Sequence, residues 1–162
     1  VTYLDTFEKL EQEAFDEGVK IYHFDLGNDN SEELLKGLYI DKNIALDVSL
    51  NCNNEKACIL AEELGHYYTS FGNIIDLTDT ANRKQEYRAR LWAYDKQIGL
   101  VGIIRSYENH CRNFHEMAEY LDVTENFLNE ALECYRSKYG SYKRIDNYLI
   151  CFDPYFYVAE LK

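Results

Sequence analysis

The apolar and polar positions divide the chain into short stretches of distinct period. Leu4, Phe7, Leu10, Ala14 and Phe15 recur at helical spacing and Gly18 closes the run, which predicts a helix over 4–18. "VKIYHFDL" alternates and predicts a strand over 19–26, and "SEELLKG" predicts a short helix over 31–37 capped by Ser31. In "GLYIDKNIALDVSLN" two strands, 38–40 and 44–50, flank a turn at Asp41, Lys42 and Asn43. Asp and Asn suit that turn because they tolerate positive φ. A helix capped by Asn53 or Asn54 runs to about Ser70 and stops before Gly72. Further helices are predicted over 80–97 and 101–110. A helical pair follows, meeting at Asp122, Val123 and Thr124. The tail "RIDNYLICFDPYFYVAEL" predicts two short strands turned at Asp153 and Pro154. The whole reads as an α+β fold with a small sheet, helices and a C-terminal hairpin.

On the helix containing "LAEELGHYYTS", the residues Ala57, Cys58, Ala61, Leu64, Gly65 and Tyr68 share one face, the one expected to be buried. Glu62 and His66 lie together on its flank, ~40° apart and one turn apart along the axis, with Glu63 just beyond. A glycine in a helix interior costs about 1 kcal/mol relative to alanine, so Gly65 makes sense where another backbone or a substrate approaches closely. The spacing to Glu86 allows a helix, a turn and a return helix, which lets Glu86 face Glu62 and His66. Ala89 and Ala93 supply the small surface for close packing. Two readings stay open on these residues alone. One is a carboxylate and imidazole set able to hold a divalent ion, with an open position for catalysis. The other is a hydrogen-bonded histidine beside an ordinary core face.

Composition narrows the classes. A net charge of −12 argues against an electrostatic grip on nucleic acid or anionic membranes, without excluding a local basic patch. Hydrophobic residues at 46% are enough for a core, and the length suits one domain with a small appended subdomain. Cys52, Cys58, Cys111, Cys134 and Cys151 are odd in number and form no C-x-x-C pair. Neither a disulfide framework nor a thiolate zinc site is expected, and free thiols fit a reducing cytosol. No signal-peptide pattern opens the chain, and the longest apolar run, "IGLVGII", is too short to span a bilayer.

The segment "GLYIDKNIALDVSLN…KACILAEELGHYYTS…NRKQEYRARLWAY" resembles the ImmA/IrrE family of metallopeptidases, over roughly residues 30–140. The family combines a strand pair, an H-E-x-x-H helix and a following helix with E-x-x-A. The resemblance implies a zincin-like helix pair within a metallopeptidase-like domain over 1–105. It implies a helix-turn-helix-like subdomain over 106–140, with the terminal hairpin over 141–162 on the same body. It makes Glu63 the general base and Glu62, His66 and Glu86 the metal ligands. Tyr67 and Tyr68 become possible contacts to the transition state or the substrate.

The chain departs from the family at Glu62, which stands where the family has histidine. A second anionic ligand lowers the net charge of a bound ion and shifts preference from Zn2+ towards Mn2+ or Mg2+. The implied activity is metal-dependent cleavage of a repressor of a phage or mobile element. The alternative is a family member that lost the chemistry and acts as a protein-binding regulator. DNA contact by the helical pair is not expected, because Glu125, Glu130 and Glu133 sit on its second helix.

Overall fold

The computed structural model describes residues 3–27, 35–70 and 79–162. It is a mixed α+β chain that divides into two compact units, Val1–Ala93 and Tyr94–Lys162. The short helix predicted over 31–37 falls largely outside the described residues, as does Gly72. Among the described residues no helix is long and apolar enough to cross a membrane.

The first unit opens with α1 (Thr6–Asp16). Asp5 caps it by accepting from the Glu8 N–H, and the Glu8 side chain accepts from the Asp5 N–H in return. Phe7, Leu10 and Ala14 are buried, whereas Leu4 precedes the helix and Phe15 is exposed, so the buried stripe is narrower than the apolar spacing suggests. Strands β1 (Lys20–Phe24), β2 (Gly37–Ile40) and β3 (Asn43–Asp47) form a sheet in the order β1-β3-β2. The hairpin closes with Asp41 at φ 45° and Lys42 at φ 62°, a two-residue turn whose twist matches that of its strands. Asn43 therefore belongs to β3. Ile44 and Leu46 alternate into the core. β1 pairs with β3 in parallel, Ile21 opposite Ile44 and His23 opposite Leu46.

Asp47 ties the ends of β1 and β3 together. It is buried and accepts from the Leu26 N–H at 3.0 Å, the Ser49 N–H at 3.0 Å and the Ser49 hydroxyl. These bonds, the Ser49 hydroxyl first, hold its carboxyl below the usual range. Its stabilising contribution is therefore complete above the ordinary carboxylate pKa and fades as pH falls through the lowered one. Asp47→Ala removes the shared acceptor of Leu26 and Ser49 and is expected to destabilise the fold, read as a lower urea midpoint at pH 7. The gap between variant and wild type should narrow as pH falls below the ordinary carboxylate range.

Helix α2 (Asn53–Thr69) starts one residue earlier than an asparagine cap requires. Cys52 is its N-cap and makes no side-chain capping bond. Asn53 Nδ2 instead donates to Asp5 Oδ2 at 2.6 Å, joining the starts of α1 and α2. Lys36 and Glu55 pair at 3.0 Å beside β2. Helix α3 (Asp79–Gln97) follows, and the division between the two units falls within it.

The second unit contains α4 (Gly99–Glu108), α5 (Phe114–Leu121) and α6 (Glu125–Tyr139). Asp122 adopts the left-handed conformation at φ 55°, Asn113 caps α5, and Thr124 caps α6 by accepting from the Phe127 N–H. Phe127, Leu128, Ala131 and Tyr135 line the core, and the Tyr135 hydroxyl donates to Asp95 at 2.9 Å. The tail differs from the expected two-strand hairpin. It is a three-stranded antiparallel sheet of β4 (Tyr142–Ile145), β5 (Tyr148–Cys151) and β6 (Tyr157–Glu160), in the order β4-β5-β6. Asp153 and Pro154 connect β5 to β6. β4 carries exposed residues on both faces except at Ile145, so no alternation announces it.

Candidate functional site

Three elements of the first unit converge on one short stretch of α2. The buried side of α2 carries Ala57, Cys58, Leu60, Ala61, Leu64 and Gly65, so Leu60 joins the core and Tyr68 is only half-buried. Gly65 marks the crossing with α3. A Cβ placed on it would sit 2.2 Å from the carbonyl oxygen of Ala89 and 3.0 Å from its Cα. Ala89 and Ala93 are fully buried. The two helices therefore touch backbone to backbone, which only glycine permits at this position.

That crossing sets Glu86 against His66. Glu86 Oε1 lies 3.2 Å from His66 Nε2, and Arg90 stands 3.8 Å from the second oxygen of Glu86. The hydrogen bond to Glu86 raises the pKa of His66, and the same bond lowers that of Glu86. The two groups stabilise each other as an imidazolium and a carboxylate.

Glu63 faces the sheet. Its Oε1 would be 2.7 Å from a Cβ on Gly37, the first residue of the edge strand β2, and Ile59 Cγ2 would be equally near. The bare glycine lets the strand close down over the carboxylate. Removal from water pushes the Glu63 pKa up to about 7; His66 opposes the rise, and the charges of Glu62 and Glu86 add to it. A carboxyl of this kind can both take and give a proton near neutral pH.

The tyrosines next along α2 turn to α1. Tyr67 donates its hydroxyl to Glu17 Oε2 at 3.0 Å, and Tyr68 to Glu13 Oε1 at 3.1 Å. Tyr68 stacks on Trp92 with ring centres 4.7 Å apart, and Tyr67 meets Tyr39 of β2 edge-on at 6.3 Å. These contacts join α1, α2, α3 and β2 into one aromatic seam, which nothing in the local sequence pattern announces. Gly37 was equally hidden, since its value lies in what it leaves empty above Glu63.

Donor chemistry and spacing bear on whether an ion fits. Two donors about 2.0–2.1 Å from a tetrahedral ion lie about 3.3 Å apart, and the His66 to Glu86 separation of 3.2 Å matches this. Glu62 stands one turn before His66 on α2, and its charge acts on both Glu63 and His66. Among the described residues no group of three or more His, Cys, Asp and Glu side chains is arranged to hold a metal ion. The same 3.2 Å is that of a hydrogen-bonded ion pair, and no third donor is gathered with these two among the described residues.

In the second unit, His115 Nδ1 lies 2.6 Å from Glu125 and its Nε2 lies 3.3 Å from Glu119, bridging α5 to the start of α6. Glu130 accepts from Asn126 and Tyr94, and Glu133 pairs with Arg136. His23 lies on β1, away from these groups in sequence and register. No protein-family model, curated protein or solved structure matches the chain.

Proposed function

We propose that the chain is a metal-dependent endopeptidase of the ImmA/IrrE type, with a zincin-like α2/α3 pair, acting in the cytoplasm on a helix-turn-helix repressor of a phage or mobile element. One observation carries this reading. A partly buried carboxylate, Glu63, is held beneath an edge strand beside a His66/Glu86 pair whose spacing suits two ligands of one ion. His66 and Glu86 would hold a Zn2+ or Mn2+ ion, with Glu62 as the third ligand. Bound there, the ion would supply Lewis acidity towards the scissile carbonyl and the attacking water. Glu63 takes a proton from the attacking water and passes it to the leaving amine, for which a pKa near 7 is well placed. The edge strand and Gly37 keep bulk water from that carboxylate. Tyr67 and Tyr68 reach a substrate only by giving up their bonds to Glu17 and Glu13.

A second reading is a protein-binding regulator that kept the fold without the chemistry. It is favoured by the carboxylate at Glu62 and by the His66/Glu86 pair, which satisfies both groups without an ion.

Calorimetric titration of protein purified without chelator or metal-affinity resin separates the two. The first reading expects one Zn2+ or Mn2+ per chain, with proton release as His66 gives up its proton. His66→Ala and Glu86→Ala should weaken binding by more than the roughly 10–100-fold that loss of an outer partner costs. If the wild-type chain binds neither ion stoichiometrically, the regulator reading stands instead.

A further inference from the structure

Helix α3 carries a feature that the proposed chemistry does not use. Between Arg83 and Arg90 the sequence "RKQEYRAR" holds Arg83, Lys84, Arg88 and Arg90 against the single acid Glu86, in a chain whose net charge is −12. Arg83, Lys84, Tyr87 and Arg88 are exposed and line a groove of about 430 Å³. Arg90 pairs with Glu86, whereas Arg83, Lys84 and Arg88 form no ion pair among the described residues. Acids outnumber bases 29 to 17, so four bases around a single acid within eight residues reverse the balance of the chain.

The groove adjoins the candidate site along the helix surface. With Glu86 as origin and ~100° per residue, Arg90 and Arg83 fall ~40° and ~60° round the axis, Tyr87 ~100°, Lys84 ~160° and Arg88 ~200°. A band of positive charge thus begins beside the carboxylate that meets His66 and continues over the solvent face.

We propose that this face of α3 binds an acidic stretch of a polypeptide through the side chains of Arg83, Lys84 and Arg88, with Tyr87 as an apolar platform. Guanidinium groups match carboxylates in two-pronged geometry, and three cations within two turns suit a segment with two or three acids. Nucleic acid is the poorer fit. Such a short patch offers too few phosphate contacts to overcome the repulsion of a chain at −12. The inference rests on the proposed function in one respect: the acidic stretch is taken to belong to the substrate, lying beside the bond to be cut.

Fluorescence anisotropy on the full metal-free chain tests it. The probe is a fluorescein-labelled eight-residue peptide of alternating aspartate and alanine, with the asparagine version as control. Wild type should bind the acidic probe at least 10-fold more tightly than the control, and more weakly as salt rises from 0.05 to 0.3 M. The triple variant Arg83→Ala, Lys84→Ala, Arg88→Ala should lose at least 10-fold in affinity while its circular-dichroism melt is unchanged. Retaining charge with Arg83→Lys and Arg88→Lys should recover part of that loss. Equal binding by wild type and the triple variant overturns the proposal, as does tighter binding of an oligothymidylate of equal charge. Because no ion and no hydrolysis enter this measurement, its outcome is independent of the metal titration. Cation-dependent peptide binding without metal binding places the groove in the regulator, and metal binding without it removes this inference alone.

Discussion

Gly65→Ala is expected to destabilise the protein by about 2–4 kcal/mol, lowering the melting temperature by about 5–15 °C. The expectation runs against helix propensity, under which the same change adds about 1 kcal/mol of stability. Geometry decides the sign. The new methyl would meet the Ala89 carbonyl oxygen at 2.2 Å, and that oxygen belongs to a backbone that cannot rotate away. Either α3 shifts outward or the crossing opens, and both uncover Ala89 and Ala93, which are fully buried. Gly102 of α4 provides the contrast. A Cβ there meets the Leu121 Cδ2 at 3.2 Å, the end of a side chain that can turn. Gly102→Ala should therefore change stability by no more than about 1 kcal/mol in either direction. Urea unfolding of both variants checks the pair, and equal stability of Gly65→Ala and wild type would sink the backbone crossing.

The second large effect belongs to Glu63. If the chain hydrolyses peptides, Glu63→Gln should lower turnover by about 10²–10⁴-fold, the range for loss of a general base. The stability of the same variant reads the site without any substrate. A carboxyl whose pKa in the fold is about 7 against an ordinary 4.5 is favoured in its protonated form. The stability that Glu63 contributes is then complete below pH 4.5 and is lost as pH rises through 7, a change of up to about 3 kcal/mol from this one group. Glutamine carries no charge to desolvate. Glu63→Gln should match wild type near pH 4 and exceed it at pH 8, and unfolding in urea at the two values gives the comparison. Parallel curves at both pH values would show that Glu63 is not held away from water.

Much of the local structure could be read from the chain because its causes are local. The Asp41-Lys42 turn, the left-handed Asp122 and the Thr124 cap each follow from what a few neighbouring residues tolerate. Gly65 signalled a close approach by being a poor choice for a helix interior, and Ala89 with Ala93 signalled the partner. The rest depended on residues far apart. The parallel pairing of β1 with β3 leaves no trace in either strand alone. Tyr67 and Tyr68 find their carboxylates on α1, so their spacing to His66 gave no hint of where the hydroxyls turn. The asparagines at 53 and 54 looked like caps, yet Asn53 is drawn to Asp5 and Cys52 opens the helix. The third strand of the tail was missed because Tyr142, Lys143 and Arg144 are all exposed and show no alternation.

The contact between Gly65 and Ala89 has a consequence for how such a chain tolerates change. His66 and Glu86 sit within one turn of that contact, one on each helix. Their separation is set by main-chain atoms, which every sequence shares, and only weakly by the side chains around them. Drift elsewhere in the core can therefore alter volume and stability while leaving the two groups in register. Evolvability is concentrated outside the crossing, and two small residues are what keep it there.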